Sequence, residues 1–239
     1  MSTKDPAEFF DEQQAEQYDQ RFIKLAPLRE ALDLLVKAVL SDLPTEARVL
    51  SVGAGTGAEV LTLAARFPGW RFVAVDPSAA MLDVARRKAE AAGIAGRCEF
   101  HVGRLETLPP AAPFDAATSF FVSQFLLDYR ERVAFFREIA SRLDSRGRLV
   151  TADLVADLST RQGQWQLDNW LRLMREEGGI PAEHAEKMRE AYARDVAVRS
   201  AAEVTAMIVE GGFAEANVFH QAGLMHAWHA QRAAWPQDS

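Results

Sequence analysis

Apolar positions along the chain alternate between two rhythms. Short runs rich in β-branched and aromatic residues recur at ARVLSV (47–52), WRFVAV (70–75), CEFHV (98–102), FDAATSFFV (114–122) and GRLVTADL (147–154). Between most of them the apolar spacing lengthens, as in Leu61, Leu63 and Ala64, then Met81, Leu82, Val84 and Ala85, then Val133, Phe135, Phe136, Ile139 and Leu143. The short runs read as strands, and spacings of three and four as one face of a helix. Strands separated by helices require right-handed crossovers, which produce a parallel sheet covered on both faces. The pattern predicts a doubly wound α/β core.

Two segments fall outside that alternation. Residues 1–46 read as a helical cap, including PLREALDLLVKAVLSDL, with Pro27 suited to a first turn and leucines at helical spacing. Residues 156–198 form a second helical segment, rich in Trp, Met, Arg and Glu, which interrupts the path from the fifth strand to the last helix. That last helix, AAEVTAMIVE (201–210), is expected to stop at Gly211-Gly212. ANVFHQAGLMHAWHA (216–230) reads as two short strands around Ala222-Gly223, so residues 199–239 complete a core begun at 47–155.

Composition narrows the setting. The 239 residues are 49% hydrophobic and 26% charged, enough for one sizeable core. A formal charge of -7 disfavours an extended nucleic-acid or anionic-membrane surface, since both need clustered basic charge. The single cysteine, Cys98, cannot form an internal disulfide, and a reducing, cytoplasmic setting is expected. No apolar stretch is long enough to span a bilayer, and the polar start MSTKDPAEFFDEQQ lacks a signal-peptide core. The partner expected is a small molecule, and a homodimer is compatible with this composition.

The chemistry concentrates in LSVGAGTGAEVL (50–61), where three glycines separate the first strand from a helix start. In an open α/β sheet, ligands bind outside the carboxyl ends of strands at such turns. Gly53 suits a positive φ, Gly55 a close backbone approach by a ligand, and Gly57 tight helix packing. The lysine of a triphosphate-binding loop is missing. A dinucleotide remains open, because Gly53-x-Gly55-x-x-Ala58 satisfies its fingerprint and Asp76 follows at the ribose-binding distance. After the second strand, VDPSAAM supplies Asp76 for two ribose hydroxyls, Ser78 as a helix N-cap and Met81 as a soft surface for an adenine face.

VLSVGAGTG together with VDPSAAMLDVARRKAEAAG resembles the class I S-adenosylmethionine-dependent methyltransferases, across roughly residues 45–230. PFDAATSFFVSQFL is similar to that family's fourth strand, and REIASRLDSRGRLVTADL to its following helix and fifth strand. The resemblance implies a Rossmann-like, mostly parallel seven-stranded sheet with a C-terminal antiparallel hairpin, and S-adenosyl-L-methionine as cofactor. It implies that Gly53, Ala54, Gly55 and Gly57 hold the methionine end, Asp76 and Pro77 the ribose, and Met81, Arg104 and Leu105 the adenine. The N-terminal FFDEQQAEQYD, with Phe10, Asp11, Tyr18 and Asp19, is similar to a cap helix in a small-molecule branch that includes carboxy-S-adenosylmethionine synthase. Tyr18 is the candidate ring beside the sulfonium, a cation-π contact of about 0.5 to 2 kcal/mol.

Two departures matter. Ser51 stands where the family usually has an acidic residue, so the cofactor ammonium must use backbone, water or Glu59. Arg104 stands where aspartate commonly meets the adenine amino group, and arginine accepts no hydrogen bond. The backbone around Arg104 and Leu105 is then the expected reader of adenine.

Acceptor candidates are Gln124 after the fourth strand, Asp153 at the end of the fifth, and Trp165 and Arg189 in the helical segment, which would act as a lid. Trp165, Trp170, Leu171 and Met174 recur at the helical spacing of a core face as well as of an acceptor box, and Arg172, Arg175 and Arg189 either bind a carboxylate or phosphate or stand solvated or paired. No metal site is expected, since the odd spacing of His226 and His229 points them to opposite faces of a strand. Methyl transfer from a sulfonium is an in-line displacement that alignment largely drives, so no general base is singled out. Alternatives are a synthase that carboxylates the cofactor, for which Arg189 would be the cationic anchor, and a binding protein without chemistry.

Overall fold

A computed structural model of the chain describes residues 12–21 and 23–234. Seven strands form one sheet: β1 (Arg48–Val52), β2 (Arg71–Asp76), β3 (Cys98–Val102), β4 (Phe114–Phe120), β5 (Leu143–Leu154), β6 (Phe213–Ala222) and β7 (Met225–Arg232). Their order is β3-β2-β1-β4-β5-β7-β6. The first five run parallel, whereas β7 is antiparallel to both β5 and β6. This is the Rossmann-like arrangement expected, with the antiparallel hairpin at its C-terminal end.

The helices are α1 (Glu12–Arg21), α2 (Ala26–Val39), α3 (Ala58–Arg66), α4 (Ala79–Ala91), α5 (Tyr129–Arg142), α6 (Arg161–Glu176), α7 (Ala182–Arg194) and α8 (Ala201–Glu210). One side of the sheet buries Leu32 and Val36 of α2, Val60 and Leu63 of α3, and Trp170 and Met174 of α6. The other buries Val133, Phe136 and Ile139 of α5 and Val204, Met207 and Ile208 of α8. Burying both faces explains why strand sequences such as RFVAV are almost continuously apolar.

Several boundaries differ from the sequence reading, each for a local reason. The strand expected over 114–122 stops at Phe120, because Phe121 takes φ 61° and turns the chain. The fifth strand begins at Leu143, where it pairs with Phe114 before a bulge. The long helical segment divides into α6 and α7 around Gly178-Gly179, with Gly179 at φ 70°. Phe10 and Asp11 of the expected cap lie outside the described residues. No helix among the described residues is long and apolar enough to cross a membrane.

The strand order reverses between β1 and β4, the topological switch point at which such sheets bind ligands. Above it stand the glycine loop, the segment after β4, α1, and the inserted pair α6–α7.

Candidate cofactor and acceptor site

The glycine loop is shaped by its own backbone and by β2. Gly53 and Ala54 both donate to the Val75 carbonyl, at 2.8 and 3.1 Å, and Gly53, Gly55 and Gly57 all have positive φ. A Cβ at Gly53 would collide with the Val122 side chain at 2.3 Å, so this glycine lets the loop lie against the segment after β4. Gly57 caps α3 in the left-handed region, where an added Cβ would press on Ala85 of α4 at 3.0 Å. Gly55 differs from both. A Cβ there would meet no atom within 4 Å, which leaves the backbone approachable at that point.

Asp76 ties this loop to the next one. Its two carboxylate oxygens accept from Gly55 N and Ser78 N, each at 2.8 Å. Burial raises the carboxyl pKa, while the bonds from Ser78 and Gly55 oppose the shift. Each oxygen has further lone-pair capacity, so the group retains room for two hydroxyl donors. Ser78 caps α4 through Met81 N as expected, and Pro77 lies between the two anchors. Gly103 N donates to the Asp76 carbonyl at 3.0 Å, bringing the end of β3 alongside. There Leu105 is buried, the Arg104 carbonyl accepts from Thr107 N and Oγ1, and the Leu105 carbonyl accepts from Leu108 N and Arg142.

Helix α1 closes over the loop. Ala15 packs with Met81 and Val84, with Tyr18 against the same cluster. Thr56 Oγ1 donates to Asp19 at 2.9 Å, Lys88 pairs with Asp19, and Arg87 pairs with Glu16 at 2.9 Å. Met81 therefore lies beneath the cap, with Tyr18 beside it. Burial pushes the Tyr18 hydroxyl up, Arg29 opposes that, and Asp19, Asp76 and Glu59 add to it.

Glu59 and Arg29 form a centre that the sequence reading only half anticipated. Ser51 Oγ donates to the buried Glu59 carboxylate, and Arg29 of α2 approaches the same carboxylate at 3.8 Å. Burial raises Glu59, opposed by Arg29 and Ser51; Glu59 and Asp33 together outweigh burial at Arg29 and hold its guanidinium above the ordinary value. Arg29 also lies 6.0 Å from the centre of the Phe120 ring. An acidic group thus reaches the position beside Ser51 from α3 instead of from β1.

The expected acceptor residues scatter. Asp153 is fully buried: its Oδ2 accepts from Ser123 Oγ at 2.7 Å and Arg132 Nη2 at 2.9 Å, and its Oδ1 from Gln124 N at 3.1 Å. Gln124 Oε1 accepts from Leu154 N, and its carbonyl accepts from Ala197 N. These bonds hold the segment after β4 against the end of β5. Arg189 is likewise engaged, by Asp168 at 2.8 Å and Glu186 at 3.5 Å on the surface of the helical pair. Trp165 is 65% exposed and, with Trp170, Leu173 and Gly223, lines an apolar cleft of about 320 Å³.

Tyr192 of α7 was missed. Trp170 Nε1 donates to its hydroxyl at 3.2 Å, and burial raises its pKa with a further contribution from Tyr18. Tyr192 therefore ties α7 to α6 through Trp170. The one available signal was an isolated tyrosine in a polar helix, which no spacing rule distinguishes from a surface residue.

These groups fit S-adenosylmethionine. Gly55 leaves an approachable backbone, Asp76 offers paired acceptors, and Glu59 with Arg29 presents opposite charges suited to an amino-acid zwitterion. On β4, Thr118 and Ser119 have buried hydroxyls without a partner among the described residues, and Thr118 is in register with Ser51.

Comparison with known proteins agrees. Residues 49–147 match the family described as methyltransferase domain. A release factor glutamine methyltransferase from Chlorobaculum tepidum is 44% identical over 73 residues, 30% of this chain and 24% of that protein. A trans-aconitate 2-methyltransferase from Azoarcus sp. is 35% identical over 113 residues, 46% of this chain and 41% of that protein. The solved structure of an O-methyltransferase family protein from Burkholderia thailandensis superposes with a TM-score of 0.61 at 17% identity, covering 89% of this chain and 59% of that one, a likeness of fold. The chain thus spans less than half the length of these two curated relatives. Residues 49–147 are thus similar to a methyltransferase domain, and S-adenosylmethionine is the methyl donor that such a domain implies.

Proposed function

We propose that the whole chain is an S-adenosylmethionine-dependent methyltransferase acting on a small-molecule acceptor. The observation that carries this reading is the spread of the site across one loop: Asp76 bonded to Gly55 N at one end, the Arg29–Glu59 pair at the other, and Tyr18 packed with Met81 under the cap. In this assignment Asp76 and Pro77 hold the ribose, and Gly53, Ala54, Gly55 and Gly57 back the methionine end. Glu59 takes the ammonium and Arg29 the carboxylate. Tyr18 lies over the sulfonium, and Met81, Arg104 and Leu105 bound the adenine. When bound, the cofactor supplies an electrophilic methyl group that an in-line nucleophile displaces.

Residues 1–46 then act as the cap, 47–155 as the cofactor core, 156–198 as the acceptor lid and 199–239 as the completing hairpin. Within the lid Trp170 is bonded to Tyr192 and shares an apolar cleft with Trp165. Excluding water and aligning the acceptor are what such a lid contributes. No side chain is assigned as a general base. The cofactor-carboxylating alternative loses its anchor, since Arg189 is already paired with Asp168 and Glu186.

The test uses a protein-free metabolite extract and S-adenosylmethionine labelled in its methyl group. Labelled small molecules should form with the wild-type chain and vanish with Asp76→Ala. A label that appears only on added protein would contradict the small-molecule reading. With an acceptor identified, Tyr192→Phe should raise its KM roughly three- to tenfold, the loss of one hydrogen bond, with cofactor affinity unchanged. Equal loss of both would assign Tyr192 to the cofactor site.

A further inference from the structure

Helix α2 carries two apolar faces, and the described residues cover only one. Leu32, Val36 and Leu40 are buried against the sheet, whereas Ala31, Leu34, Leu35 and Ala38 are exposed, Leu34 by 65% and Leu35 by 37%. Their spacing of i, i+3, i+4 and i+7 is that of a helix face meant for burial. Ile23, just before the helix and 56% exposed, extends the stripe. Single apolar residues on a surface are ordinary, but a continuous stripe on one helix marks a contact.

The charges beside the stripe indicate the occupant. Arg29 and Asp33, on the flank nearer the core, pair with each other, and Arg29 also meets Glu59. The side chains of Glu30 and Lys37, seven positions apart on the solvent flank, form no hydrogen bond or ion pair with another described residue. We infer that this face seats the same face of a second copy, the two α2 helices lying antiparallel across a two-fold axis that passes beside Leu34 and Leu35. A two-fold contact is self-complementary, so a residue and its counterpart meet twice. Leu34 then faces the partner's Leu35, and Ala31 the partner's Ala38. Glu30 falls on the same side as the partner's Lys37, about 3 Å apart in height at the helical rise. The symmetry repeats that opposite-charge pair, as flanking positions do in paired helices.

The contact is small. A helix of 14 residues is about 21 Å long, and one face of it buries far less than the roughly 800 Å² per partner of a stable interface. The dimer is therefore weak and salt-sensitive.

Sedimentation velocity of the full chain over a concentration series, at low and high salt, tests this. The average mass should climb from monomer towards dimer with concentration, and less so in high salt. Leu34→Glu, at an exposed position where circular dichroism should stay unchanged, should abolish the climb. Glu30→Lys should weaken association about tenfold by placing like charges together twice, and Glu30→Lys with Lys37→Glu should restore it, because the swap preserves opposite signs across the axis. A monomer at every attainable concentration overturns the inference, including one in which hydroxyl-radical footprinting shows the stripe shielded by residues 1–11. So does a dimer indifferent to Leu34→Glu, or a double swap that fails to rescue.

Discussion

Asp76→Ala is expected to weaken S-adenosylmethionine binding by at least tenfold. Two losses act together. The variant removes a carboxylate whose charge-assisted contact with the ribose hydroxyls is worth about 1.5 to 3 kcal/mol. It also frees Gly55 N and Ser78 N, which both bond to this carboxylate, so the glycine loop and the start of α4 lose a common anchor. Asp76→Asn separates the two effects in part, since an amide keeps one accepting oxygen for the two N-H groups. Calorimetric titration of folded protein should rank wild type above Asp76→Asn, and Asp76→Ala last. Equal affinities would remove Asp76 from the site.

Arg132→Met is expected to destabilise the fold by about 3 to 5 kcal/mol, because it leaves the fully buried Asp153 carboxylate without its cation. Burial raises the Asp153 carboxyl, and Arg132 with Ser123 and Gln124 resists that shift. Arg132 also donates to Ser123 Oγ and to the Ala197 carbonyl, so the segment after β4 and the segment leading to α8 loosen together. A chain of this size loses about 2 to 4 °C of melting temperature per kcal/mol, which makes the shift on the order of 10 °C. Replacing the pair together, as Arg132→Met with Asp153→Leu, should recover most of it, because a matched apolar pair carries no desolvation cost. Thermal unfolding of the two variants checks this. A double variant no better than the single one would show that the pair contributes more than mutual neutralisation.

The fold was legible because its signals are local. Strand and helix periods, the glycines of LSVGAGTG and the N-cap Ser78 each follow from a few adjacent residues, and all survive in the structure. Asp76 was legible for the same reason, being placed by the strand before it. Partnerships between distant residues were not. Asp153 read as a pocket carboxylate at a strand end, but Arg132, 21 positions earlier, lies beneath it and takes its charge. Arg189 read as a free cation until Asp168, one helix earlier, was found beside it. Arg29 gave no signal in its own helix, although Glu59 and Phe120 converge on it from α3 and β4. Periodicity tells which face a residue occupies. It does not tell what the opposing element brings to that face.

Phe121 carries the same lesson at the level of the backbone. Its φ of 61° ends β4 and turns the segment that meets Gly53 through Val122. Nothing in a β-prone run such as TSFFV announces that conformation, and strained backbone of this kind gathers where a chain must present atoms to a ligand.

One titration tests the glycine loop and Asp76 most directly: S-adenosylmethionine, and separately NAD, into the wild-type chain by calorimetry. Saturable binding of S-adenosylmethionine at one site per chain, competed by S-adenosylhomocysteine and with no comparable heat from NAD, is the predicted result. Absence of S-adenosylmethionine binding by folded protein, or preference for NAD, would contradict the assignment of the glycine loop and Asp76.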